Sequence, residues 1–261
     1  MKQIIFLLTI VLNVAPLWSQ SNAAPLGREA ADAQRREAMV SAIGEQVHQM
    51  DAQLGDWADL HRYRSEDAKL VQTSDSALRV VFYGASITDN WGRRTGSFFP
   101  GKPYVNRGIS GQTTPQMLVR FQQDVVHLHP AVVVVLAGTN DIAGNTGQST
   151  PEMIEDNFAS MAAIAKQSGI RMVIASILPA THYFWSPAIH PVDEIRTVNR
   201  WLKQFCAQNG LVYLDYYDSM VDSQGGMRQG YSSDGVHPTA EGYRVMTPLT
   251  EEAIQRALST R

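Results

Sequence analysis

One cysteine in 261 residues, Cys206, rules out an internal disulfide and with it the disulfide-stapled class of small secreted folds. Charge is equally sparing. Lys and Arg total 22 against 25 Asp and Glu, a formal net charge of -3, which offers nucleic acid or anionic lipid no overall attraction. Past the first residues, no apolar run approaches the length of a membrane span. Internal repeats and low-complexity tracts are also absent. What remains is a chain with 44% apolar residues, a globular composition. It is long enough for one sizeable core and too short for two large domains.

The first residues follow a different rule. Lys2 supplies a positive start, and the stretch from Ile4 to Leu17 is apolar except for Thr9 and Asn13. Small residues follow at Ser19, Ser21, Ala23 and Ala24. This pattern reads as a secretory signal peptide over residues 1–23, cut after Ala23, so the expected location is periplasmic or secreted. A short N-terminal membrane anchor is the alternative, and the run is too short to favour it. Residues 27–57 carry Val40, Ile43, Val47, Met50 and Leu54 at spacings of three and four, which predicts a helix. Its simplest place is against its own domain; a dimer-forming helix is the alternative, though the stripe is too short to demand a coiled coil. Trp57, Leu60 and Tyr63 extend that apolar face. Residues 24–77 thus read as an N-terminal helical extension, and residues 78–261 as the main domain.

Within that domain the hydrophobic periods alternate. "LRVVFYG", "YVNRGISG", "PAVVVVLAG", "IRMVIASIL" and "LVYLDYY" read as strands, several of them apolar on both faces. Between them lie helices: "TPQMLVRFQQDVV", "TPEMIEDNFASMAAIAKQSG", "PVDEIRTVNRWLKQFCAQNG" and a last one after His237. Thr150 and Pro151 start the second of these, and Gly169 ends it. Cys206 falls in the third as a buried helix residue. The fold class is α/β, a mainly parallel sheet covered on both faces, and such sheets bind ligands beyond the C-terminal ends of their strands.

Four segments converge at those ends. "YGASITDN" puts Ser86 just past the first strand, "NRGISG" puts Gly108 at the end of the second, and "GTND" puts Asn140 past the third. An aromatic loop, "PATHYFWSPAIHPVDE", follows the fourth. Near the C-terminus, "SSDGVHPTAEGY" places Asp234 and His237 three apart, with Pro238 biasing the histidine out of the helix that follows. Two readings of that pair stand. A carboxylate that orients a histidine base for a serine nucleophile would use both residues. A capping aspartate and a surface histidine at a helix start would use them as well. Glycine and asparagine at strand ends are likewise either oxyanion donors or turn formers. Asp89, Asp234 and His237 lack the spacing of a recognised zinc motif, so neither metal nor cofactor is called for.

Taken in order, "GASIT", "NRGISG", "GTND" and "DGVHP" resemble the motifs of the GDSL-type esterases and lipases, the SGNH-hydrolase superfamily. The likeness is greatest to the bacterial secreted branch similar to platelet-activating-factor acetylhydrolase catalytic subunits. The resemblance covers about residues 78–250. It implies a three-layer flavodoxin-like sandwich with five parallel strands, and ester hydrolysis. It implies Ser86 as nucleophile, His237 as base and Asp234 as its partner, with oxyanion donors from Ser86, Gly108 and Asn140. One position departs from the pattern: Ala85 stands where the family usually has aspartate, which removes an acceptor beside the nucleophile turn. Trp91, Tyr183, Phe184 and Trp185 are candidates for the substrate pocket, or for cover over the core. The expected partner is a small-molecule or carbohydrate ester, with a short, acetyl-type acyl group. An acyltransferase or lysophospholipase-type esterase on the same triad, or an exported non-catalytic carbohydrate-binding protein, are the alternatives.

Overall fold

The computed structural model describes residues 25–72 and 78–259; the expected signal peptide lies outside them. The described chain forms two compact units, divided after Gly55. In the first, α1 (Pro25–Gly55) is a single helix, close to the predicted 27–57. Its stripe of Val40, Ile43, Val47 and Leu54 is exposed, not buried as the spacing suggested. No helix among the described residues is long and apolar enough to cross a membrane.

The predicted helical face does not continue through Trp57, Leu60 and Tyr63. Residues 56–63 form successive turns, followed by the short α2 (Arg64–Val71). Polar contacts hold this segment to the rest of the second unit, of which it is the start. Gln112 Nε2 donates to Ala58 O at 2.7 Å, Gln116 Nε2 donates to Trp57 O at 2.7 Å, and the Tyr63 hydroxyl donates to Gly108 O. Arg107 closes the seam with an ion pair to Asp67. A helix would have turned these main-chain carbonyls inward along its own axis and away from the glutamines.

Five strands make the sheet: β1 (Val80–Gly84), β2 (Tyr104–Gly108), β3 (Val132–Leu136), β4 (Arg171–Ala175) and β5 (Val212–Leu214). Their spatial order is β2-β1-β3-β4-β5, and every neighbouring pair is parallel. Because side chains alternate across a strand, the apolar runs split into two cores. Val81, Tyr83, Val133, Val135, Met172 and Ile174 face one side. There they meet α4 (Thr114–Asp124), α6 (Pro151–Gln167) and α7 (Val192–Asn209) through Phe121, Phe158 and Leu202. Val80, Phe82, Val132, Val134, Val173 and Ala175 face the other, against Trp91, Phe99 and α9 (Ala240–Ser259). Three short helices complete the chain order: α3 (Ser86–Asp89), α5 (Thr139–Ile142) and α8 (Tyr217–Met220). The result is the three-layer α/β sandwich expected. Cys206 is buried in it, and that burial pushes its thiol up to about 12.

From β1 the chain crosses to β2 on one side, then to β3 on the other, so the sheet switches direction between β1 and β3. A crevice opens outside the strand ends at such a point. Beneath it sits a fully buried arginine. Arg120 donates to Gly84 O and Arg107 O, both at 3.0 Å, and to the side chains of Gln112 and Asp124. Its guanidinium also lies 4.2 Å from the centre of the Tyr83 ring. One cation therefore ties together the ends of β1 and β2 with its own helix.

Candidate active site

Ser86 is the first residue of α3, at the end of β1, where its N–H has no partner within the helix. The strand and helix meet so tightly that a side chain on Gly84 would strike Thr88 Oγ1 at 2.2 Å. The Tyr243 hydroxyl donates to Ile87 O at 2.7 Å and so fastens α9 to this turn. His237 approaches from the loop before α9, with its Nε2 2.9 Å from Ser86 Oγ. Its Nδ1 lies 2.8 Å from Asp234 Oδ2.

The other carboxylate oxygen explains why "SSDGVHP" folds as it does. Asp234 Oδ1 accepts the N–H groups of Val236 at 2.9 Å and His237 at 2.7 Å, wrapping the loop around its own side chain. Gly235, at φ +82°, permits the reversal. Ser232 Oγ donates to His237 O at 2.8 Å and holds the far side. Partial burial would raise the pKa of Asp234. The two backbone donors and the His237 side chain outweigh that and bring it down to about 2. The carboxylate is therefore ionised at neutral pH and can only accept. Nδ1 of His237 then carries the proton, and Nε2 is left free to accept from Ser86.

Asn140 belongs to α5, directly past β3. Gly138 precedes it at φ +108°, where a β-carbon would lie 2.5 Å from Ile177 Cδ1. One hydrogen of the Asn140 amide goes to Gln112 O at 2.8 Å, and the other has no partner among the described residues. Asp141, its neighbour in "GTND", turns away and accepts the N–H of Thr114 at 2.9 Å and its hydroxyl, capping α4. A small cleft at the β1–β3 switch is lined by Ala85, Ser86, Ile87, Leu136, Ala137, Gly138, Thr139 and Asn140. A larger hollow beside β5, bounded by Lys203, Tyr213 and Arg256, shares no residue with it.

Several expectations shift. The Gly108 N–H already donates to Asn106 Oδ1 at 2.9 Å, and a β-carbon there would lie 2.2 Å from Asp89 N. Glycine at 108 thus lets α3 lie against β2. Farther along the loop, the Gly111 N–H is exposed and makes no hydrogen bond among the described residues. Trp91 is buried in an aromatic cluster with Phe82, Phe98, Phe99 and Tyr243, so it does not form a pocket wall. Tyr183 is fully buried and stacks beneath Trp185 at 5.1 Å. Phe184 and Trp185 lie at the site, their ring centres 6.4 and 6.2 Å from that of His237. Sequence reasoning missed Asn145, whose Oδ1 accepts from Trp185 Nε1 at 2.9 Å.

Only one grouping of ligand-type side chains stands out among the described residues, Asp56, Asp59 and His61, and it includes none of the residues of this site. Hydrogen bonds within the turn, such as His61 Nδ1 to Asp56 Oδ2, account for it.

A model of the GDSL-like Lipase/Acylhydrolase family matches residues 82–245. The chain belongs to that family. The Ser86–His237 contact agrees with membership of this GDSL family. A GDSL-like lipase from Bacteroides thetaiotaomicron is similar in structure: 40% identical, TM-score 0.74, covering 77% of this chain and 98% of that one. The platelet-activating factor acetylhydrolase IB subunit alpha1 of Bos taurus is 26% identical over 216 residues, 78% of this chain and 85% of that protein. An acetylxylan esterase of Xylanibacter ruminicola is 24% identical over 242 residues, 77% of this chain and 49% of that protein. The chain spans between 31% and 60% of the length of the first curated relatives it matches.

Proposed function

We propose that this GDSL-family protein hydrolyses short-chain esters, acetyl esters first, through Ser86, His237 and Asp234, and that its substrate is an acetylated carbohydrate. The observation that carries the triad is the unbroken chain from Ser86 Oγ through both ring nitrogens of His237 to Asp234. In the first half-reaction Ser86 attacks the ester carbonyl while His237 Nε2 takes its proton, and Asp234 stabilises the imidazolium. The N–H of Ser86 and the other hydrogen of the Asn140 amide meet the developing oxyanion. Gly111 N–H supplies the third donor, in place of the engaged Gly108. His237 then protonates the leaving alcohol, and water activated by the same histidine releases the acyl group.

Two features support the substrate class. The cleft beside Ser86 is lined on its β3 side by Ala137 and Gly138, which suits a one- or two-carbon acyl chain. Phe184 and Trp185 offer ring faces beside the base, a surface that suits the apolar face of a sugar. The kinship with an acetylxylan esterase points the same way. Export to the periplasm or medium, proposed from the N-terminal residues, would bring the enzyme to polysaccharide fragments.

The test is hydrolysis of p-nitrophenyl acetate, butyrate and octanoate, with Ser86→Ala alongside. We expect turnover that falls with acyl length and is lost in the variant. Wild-type rates in Ser86→Ala would refute the nucleophile. A preference for octanoate would refute the short acyl site.

A further inference from the structure

Asn145 is exposed, lies outside the four sequence motifs, and yet makes three contacts around the site. Its backbone N–H donates to Asn140 O at 3.0 Å. Its Nδ2 donates to Gly111 O at 3.0 Å. Its Oδ1 accepts the indole N–H of Trp185 at 2.9 Å. Thr146, next in sequence, is within 3.0 Å of Thr113 Oγ1, so the segment is also pinned to the start of α4. A circuit results: Ser86 to His237, His237 beside Trp185, Trp185 to Asn145, and Asn145 to both Gly111 and Asn140.

The chemistry gives the two halves of that circuit different tasks. A histidine that protonates the leaving oxygen must have the alcohol beside it. The ring of Trp185 therefore borders the alcohol, and Gly111 and Asn140 border the carbonyl oxygen. We propose that Asn145 is a positioning residue: it fixes the Trp185 indole as the wall of the leaving-alcohol site and sets that wall relative to the oxyanion donors. The inference rests on the esterase reading above. It assigns preference for ring-bearing alcohols, such as sugars, to a single side-chain amide that touches no reacting atom.

The experiment compares kcat/KM for a fully acetylated methyl xyloside with that for ethyl acetate, whose alcohol is too small to reach the wall. The ratio of the two should fall about fivefold in Asn145→Ala, the worth of one neutral hydrogen bond. Trp185→Phe keeps a ring but removes the indole N–H, and should lower the ratio similarly. The double variant should fall no further, because both substitutions break the same bond. Asn145→Asp retains the acceptor and should restore most of the ratio, even where kcat drops for both esters. Independently, the indole N–H signal that Trp185→Phe removes from the NMR spectrum should exchange with solvent faster in Asn145→Ala than in wild type. Additive losses, or an unchanged exchange rate, would overturn the assignment. Absence of any Ser86-dependent hydrolysis of either ester would instead sink the esterase reading, and this inference with it.

Discussion

Replacing Asp234 by Asn tests the electrostatic heart of the site while keeping its shape. Oδ1 can still accept the N–H groups of Val236 and His237, so the loop keeps the bonds that form it. What changes is the atom facing His237 Nδ1, now 2.8 Å from a carboxylate oxygen. Losing a hydrogen bond to a charged group costs about 1.5–3 kcal/mol, roughly 10- to 150-fold in rate. An amide NH2 turned toward Nδ1 also favours the wrong tautomer, and in a serine protease that combination lowers kcat about 10⁴-fold. Asp234 retains 29% side-chain exposure, so water can partly replace it. We therefore expect a loss of about 10²- to 10³-fold in kcat with p-nitrophenyl acetate, and little change in KM. The same substitution has a stability signature. Because the folded carboxyl titrates near 2, below its ordinary value of 3.8, its contribution is present above about pH 4. It is lost as pH falls through 2. The difference in Tm between wild type and Asp234→Asn should thus shrink as pH falls from about 4 toward 2. A kcat within threefold of wild type would refute the orienting role. A Tm difference that does not move with pH would refute the titration argument.

Two further outcomes are expected. Asn140→Ala should lower kcat about 10²- to 10³-fold with folding intact, as loss of one oxyanion donor does, and a loss confined to KM would speak against that role. Arg120→Met leaves Asp124 buried without its cation, and should cost about 3–5 kcal/mol in urea unfolding. Replacing both, as Arg120→Met with Asp124→Leu, should recover part of it, and equal destabilisation in the two variants would refute the unpaired-charge account.

Sheet and chemistry were unequally legible in the sequence. Val80–Gly84 and Val132–Leu136 announce themselves as strands because burial on both faces leaves an uninterrupted apolar run. Asp234 and His237 are close in sequence and flanked by Gly235 and Pro238, so their local geometry follows from turn chemistry. Rings were harder. Trp91 and Trp185 both sit near strand-end motifs, yet one is buried among Phe82, Phe99 and Tyr243 and the other stands beside His237. Which way a ring faces depends on what the rest of the chain packs behind it, and no local pattern carries that. Arg120 was invisible for a related reason. On an amphipathic helix an arginine reads as a solvated residue, and it is the carboxylate of Asp124 together with the carbonyls of Gly84 and Arg107 that makes its burial tolerable. Gly108 and Gly111 are three apart, and both suit a close-approach reading. Only the Asn106 side chain distinguishes the engaged N–H from the free one.

The hydroxyl of Tyr243 on Ile87 O has a consequence for how loss of activity should be interpreted. Ser86 and His237 are 151 positions apart in the chain, and the last helix is latched to the nucleophile turn through that one phenol. If α9 loosens, the base leaves the serine while the five strands still pair. Catalysis would then fade before the far-ultraviolet signal of the sheet does, and the gap between the two would measure how independently the final helix undocks.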